Sequence, residues 1–247
     1  MMKSCLHSGF VKGYFLILLS FLFVVISCDD NTTDPDPDPD PTTSLFRMGA
    51  GVTDIEGNIY KSVIIRVGTT SKAVIEQEWM MSNLRVTKYS DGTDISASSY
   101  TYCNNDTNTV DSLGLLYTWD AFTNGSATAG NQGACPTGWH VPTIEEYRTL
   151  FTGLGGDSVA GMKMKSMNST YWNDVTLNSN ASGFNAQGSG WVSMGMAFHY
   201  MNATMFWTST ENGTNARIVQ LNAQTKYAIH QYDCAKDAKN SSRCIKD

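Results

Sequence analysis

The sequence predicts an α+β domain, with mixed antiparallel strands gathered around one main helix at residues 143–154 and a second short helix after it. Three observations predict this. One stretch carries a full set of helix signals, the other apolar residues fall into runs of strand length, and polar or glycine-rich turns separate those runs. In the helix stretch Thr143 and Glu146 stand as a capping box, in which the hydroxyl takes one orphan N–H and the carboxylate reaches back to another. Ile144, Tyr147, Leu150, Phe151 and Leu154 recur at three- and four-residue spacing, so one face is apolar. Gly153, Gly155 and Gly156 supply the stop.

The chain has 247 residues, 41% hydrophobic and 16% charged, enough for one large or two small domains. Trp, Tyr, Gly, Asn, Ser and Thr replace the missing charges, which suits short strands, polar loops and an extracellular surface. The formal net charge is −6; without Lys3 and Lys12, which sit in a predicted leader, 15 basic residues face 23 acidic ones and the balance is −8. An acidic chain with no Lys/Arg cluster has nothing to hold a phosphate backbone, so no nucleic-acid partner is expected.

In chain order, residues 1–27 read as a lipoprotein signal peptide. Lys3 and Lys12 precede an apolar run at 14–26, shorter than the about 20 residues of a bilayer span. The run ends at Ser27-Cys28, and VISC at 25–28 resembles a bacterial lipobox, whose cysteine is acylated and becomes the first mature residue. Cys28 is therefore the predicted lipidation site, making the membrane a partner through a lipid anchor. Residues 28–45 form a tether in which acid and proline alternate from Asp34 to Pro41; fixed φ angles and like charges keep it extended. The acidic pair Asp29-Asp30 behind the cysteine resembles the export signal of Bacteroidota surface lipoproteins. The expected location is the outer membrane, lipid-anchored and facing the cell exterior.

Residues 46–247 read as a single domain. A strand is predicted over 59–67, with Val63, Ile65 and Val67 pointing one way, and a second runs through Trp79-Met80. The loop at 100–112 is rich in oxygen donors, including Asn104, Asn105, Asp106 and Asn108, so calcium is a conceivable cofactor; it lacks the spacing and the glycine of an EF-hand, and the expectation is a solvated loop with no cofactor. A short helix is expected over 157–165 with Asp157 as N-cap. Strand-like runs follow at 191–200 and 205–210, and the carboxyl-terminal third reads as a three-strand meander.

Of six cysteines, Cys5 leaves with the leader and Cys28 is lipidated. In an exported chain Cys103, Cys135, Cys234 and Cys244 should form two disulfides, in one of three connectivities. No Cys-x2-Cys pair is present, so no metal site is expected. His140, His199 and His230 stand in no metal motif, and His140 is expected to make a structural hydrogen bond within its own turn. No Gly-x-Ser-x-Gly elbow occurs, and no catalytic residues are assigned.

The pieces DIEGNIY (54–60), WMMSNLR (79–85), GLLYTWDA (114–121), CPTGWHVPTIEEY (135–147), FWTSTE (206–211) and RCIKD (243–247) stand in the order found in the Fibrobacter succinogenes major paralogous domain, and the chain resembles that family over nearly all its folded part. Departures are Ser82, where the family often has Glu, and QGSGW at 187–191, where it often has Pro-Gly-Gly and an Arg. The family resembles the C-type lectin-like and sulfatase-modifying-factor folds and carries no settled activity. The resemblance implies a C-type lectin-like fold whose terminal strands close the domain. It thereby implies a Cys135–Cys244 bridge, which leaves Cys103 with Cys234.

Trp172-Asn173-Asp174 is similar to the calcium-binding strand of C-type lectins, but the partner Glu-Pro-Asn loop is absent and the ion's shell is incomplete. Trp79, Trp119, Trp139 and Trp207 sit in motif cores and read as packing. Trp172 and Trp191 are the expected exposed platforms, since an aromatic face stacks on a pyranose. The first functional reading is a surface binding module whose ligand is a glycan or a surface protein. The second is a structural or adhesin component of the envelope without a small ligand. The third is an oxidase like the sulfatase-modifying enzymes, whose copper chemistry needs two free thiols in one cleft.

Overall fold

The computed structural model describes residues 44–69 and 74–247. The predicted leader, Cys28 and nearly all of the tether lie outside the described residues.

The amino-terminal half carries β1 (Phe46–Met48), β2 (Val52–Thr53), β3 (Ile59–Tyr60), β4 (Ser62–Thr69), β5 (Val74–Met80), β6 (Tyr100–Tyr102), α1 (Val110–Leu113), β7 (Leu115–Tyr117), α2 (Trp119–Thr123) and β8 (Trp139–His140). The main helices follow, α3 (Ile144–Gly153) and α4 (Asp157–Met164), then β9 (Trp191–Ser193), β10 (Met196–Phe198), β11 (Ala203–Asn212), β12 (Asn215–Asn222), β13 (Ala228–Ile229), β14 (Asp233–Ala235), β15 (Asn240–Ser241) and β16 (Ile245–Lys246). The architecture is mixed, mostly strands with a few short helices.

Two larger sheets result. The first is antiparallel in the order β1-β4-β5-β16-β8. The second runs β13-β12-β11-β15-β7-β6, with β14 also on β12, and only the β11–β15 pair is parallel. Period-two alternation on β11 and β12 divides the interior. Phe206 and Val219 face a cluster with Tyr147, Leu150 and Phe151 of α3 and Val63, Ile65 and Trp79 of the first sheet. Trp207 and Ile218, one residue along, face a second cluster with Tyr117, Trp119, Trp139 and the Cys135–Cys244 disulfide. The four motif tryptophans are buried, and two in the second cluster place their indole N–H on carbonyls: Trp119 on Thr208 at 2.8 Å and Trp207 on Tyr117 at 2.7 Å.

Helix α3 starts with the predicted capping box, Thr143 Oγ1 accepting from the Glu146 amide at 3.2 Å and Glu146 Oε2 from the Thr143 amide at 2.7 Å. Helix α4 departs from expectation: its N-cap is Gly156, at φ 94°, and Asp157 is its first residue. The Asp157 carboxylate is turned instead to His230 Nε2, 2.8 Å away. The predicted strand at 59–67 breaks at Lys61, because Ile59 and Tyr60 pair with β2 while β4 pairs with β1 and β5. The run at 191–200 folds on itself as the β9–β10 hairpin.

The carboxyl end is not a meander. β15 belongs to the second sheet and β16 to the first, so residues 242–244 sew the two together. Leu84 and Met80 donate their amides to the Ser242 and Cys244 carbonyls along this crossing. The Cys135–Cys244 bridge closes 109 residues at the same place.

Candidate functional site

The site is built on the β9–β10 ribbon. Its tip, Met194-Gly195, holds φ of 50° and 76°, the paired left-handed conformation of a two-residue hairpin turn. Register then sets the faces: Val192 lies opposite Ala197 and both pack on Leu113, Leu116 and Cys103. Trp191 lies opposite Phe198 and is carried on the other face, where the two rings stack with centroids 6.2 Å apart. His199, itself left-handed at φ 54°, folds back so that its imidazole lies on the indole at 4.7 Å and 17°. Trp191 is half-buried and His199 exposed.

Beside this stack runs a groove of about 410 Å³ whose far wall comes from β12 and the turn after it. Asn202, Gln220, Asn222 and Gln224 line it with side-chain amides. Gln220 Nε2 donates to Asn222 Oδ1 at 2.8 Å, and Asn202 Oδ1 accepts from Asn173 Nδ2 at 3.2 Å, which orients both pairs and leaves further donor and acceptor positions. Thr225 Oγ1, also in the lining, is buried and has no hydrogen-bond partner among the described residues.

The turn forming that wall is held from inside by Lys165. This lysine is fully buried and its Nζ donates to the carbonyls of Asn222 at 2.7 Å, Ala223 at 3.1 Å and Thr225 at 2.7 Å. Burial pushes its pKa down to about 8. The ammonium also lies over the Trp172 ring, 5.6 Å from the centroid.

Trp172 is therefore not a platform. It is 1% exposed and its Nε1 donates to the Ala186 carbonyl at 3.0 Å, so it packs under the turn that Lys165 anchors. Its neighbour Asp174 uses Oδ1 to accept from the amide and hydroxyl of Thr176, closing a local turn. In the oxygen-rich loop Asp106 Oδ1 does the same for the amide and side chain of Asn108. No group of three or more His, Cys, Asp or Glu that could hold a metal ion occurs among the described residues.

The expected Cys103–Cys234 bridge is absent, and both thiols are free. Alternation on β7 explains why. Leu116 packs with Cys103, whereas Leu115 and Tyr117 pack in the cluster against which Cys234 lies, so the cysteines sit on opposite faces of one sheet. Burial pushes the Cys103 thiol up to about 12. The thiol pair that a copper oxidase needs is thus not assembled by these two residues.

His140 does more than its turn requires. Nε2 meets Glu146 Oε1 and Nδ1 meets Asp247 Oδ1, each at 2.8 Å, so the imidazole joins the α3 capping box to the last residue of the chain. The Glu146 hydrogen bond raises the imidazole's pKa, outweighing burial, and Asp247 adds to the rise.

A model of the Fibrobacter succinogenes major domain matches residues 74–246, from the first residue of β5 to the last of β16. The chain belongs to that family. Within the Fibrobacter succinogenes major domain the match takes in the aromatic ribbon, the amide groove, Lys165 and the disulfide, and it leaves β1 to β4 outside. Comparison with curated proteins and with solved structures gave no match. The groove's amides and His199 had no signal in the sequence: each is a common loop residue, and only the hairpin and the turn after β12 bring them to one wall.

Proposed function

We propose that this Fibrobacter succinogenes major domain is the binding module of a lipid-anchored surface protein, with a C-type lectin-like fold and a glycan as ligand. The observation that carries the reading is the Trp191–His199 stack, set on the outer face of a hairpin beside a wall of amides. An aromatic face covers the C–H face of a sugar ring while amides exchange paired hydrogen bonds with its hydroxyls. The lipobox at Cys28 and the acidic tether support presentation outside the cell. Mass analysis of the mature amino terminus is expected to find an acylated Cys28.

A glycan array tests the binding reading. Wild-type chain should retain at least one glycan class and Trp191→Ala should lose it, with both proteins melting at the same temperature. An array on which the two proteins behave alike would remove Trp191 from the site. A second reading, docking on a neighbouring envelope protein, draws on Met194 and Met196 at the same hairpin, which are 93% and 57% exposed. Under that reading Met194→Ser, and not Trp191→Ala, abolishes envelope association.

A further inference from the structure

Resting on the glycan reading, we infer that the groove takes an uncharged sugar and binds it without calcium. The first ground is the lining itself. Among the described residues that form it none is Asp, Glu, Lys or Arg; it consists of Trp191, His199, the amides of Asn202, Gln220, Asn222 and Gln224, and small neighbours. A uronate, sialate or sulfated sugar is best held by a lysine or a bidentate guanidinium that offsets the desolvation of its charge, and the wall offers neither.

The second ground is the fate of two charges beside the groove. Lys165 lies beneath the groove's turn, and its three donors are already spent on the Asn222, Ala223 and Thr225 carbonyls; Lys226, which follows Thr225, is exposed and does not line the groove. Asp174, on the segment that resembles a calcium-binding strand, does not line the groove and turns Oδ1 to the Thr176 amide and hydroxyl. A calcium ion needs six to eight oxygens with some carboxylate charge among them, and a wall without Asp or Glu does not supply that charge. Amides instead suit neutral hydroxyl and acetamido groups, because each offers both a donor and an acceptor.

The test is binding of the full chain to immobilised neutral polysaccharides (mannan, galactan, β-glucan and chitin oligomers) and to charged ones (polygalacturonate and heparin), each with millimolar calcium and with EDTA. The expected result is retention on at least one neutral polymer, equal in calcium and EDTA, and reduced about tenfold by Trp191→Ala and severalfold by Gln220→Ala. Binding that Trp191→Ala removes but that is confined to charged polymers, or that EDTA abolishes, overturns this inference and leaves the glycan reading standing. Absence of Trp191-dependent binding on every polymer overturns both. Far-ultraviolet circular dichroism and melting temperature of each variant separate a lost contact from a lost fold.

Discussion

Arg243 is among the most heavily committed buried side chains of the described residues. It is fully buried, and its guanidinium donates to Asn83 Oδ1 at 2.9 Å, to the carbonyls of Met80 and Phe184, and to that of Asn185 at 2.9 Å. It also lies 4.4 Å from the Phe184 ring centroid. Every partner is neutral, so burial lowers its pKa to about 9, and the planar fork satisfies carbonyls that would otherwise be stranded. Arg243→Met is expected to cost roughly 3–5 kcal/mol, because it strands several buried acceptors at once. Urea unfolding measures it, and a loss below about 1 kcal/mol would show that water replaces the guanidinium. Arg243→Lys should recover less than half, since a single ammonium cannot reach the same spread of acceptors.

At the scale of elements, α3 is fastened at both ends. At its carboxyl end Gly153 meets β4 so closely that a Cβ would lie 2.3 Å from Val67 Cα. Helix propensity favours Ala there by about 1 kcal/mol, whereas forcing backbones apart costs about 1–3 kcal/mol. Gly153→Ala is therefore expected to destabilise, and a raised melting temperature would refute the close approach. At its amino end the helix is tied through Glu146 and His140 to Asp247, which makes that latch pH-dependent. The imidazole's folded pKa is raised, so its contribution is complete below the unfolded value near 6.5 and fades as pH rises through the folded one. For Glu146, burial alone would raise the pKa, but His140 and the Thr143 amide together lower it; its contribution is present above the ordinary carboxylate range and fades as pH falls through the folded value. Stability measured across pH should peak on the acid side of neutrality, and His140→Gln should flatten the alkaline limb.

For the whole molecule the decisive feature is the carboxyl-terminal crossing between sheets, locked by Cys135–Cys244. Constraining 109 residues of unfolded chain is worth about 5 kcal/mol on a chain-entropy estimate, a large part of the roughly 5–15 kcal/mol that holds a domain together. The Cys135→Ser, Cys244→Ser double variant should melt far below the wild type. Non-reducing peptide mapping should recover the Cys135 and Cys244 peptides joined. Cys103 and Cys234 should react with an alkylating reagent after denaturation, and Cys103, buried and with a raised pKa, should resist it in the native state.

Local chemistry was legible in the sequence wherever it depended on neighbours along the chain. The capping box, the apolar stripe of α3 and the turns follow from the spacing of neighbours, and the four core tryptophans follow from the family motifs they sit in. Decisions made between distant segments were not legible. Whether Trp172 or Trp191 faces outward depends on which residue of a hairpin sits opposite Val192 and which lysine lies under a turn some sixty residues later in the chain. Whether Cys103 meets Cys234 depends on the side of the second sheet each occupies, since one step along a strand reverses the face. Spacing alone leaves all three cysteine connectivities open, and strand pairing, which carries the long-range hydrogen bonds and burial, forms Cys135–Cys244 and leaves Cys103 and Cys234 as thiols.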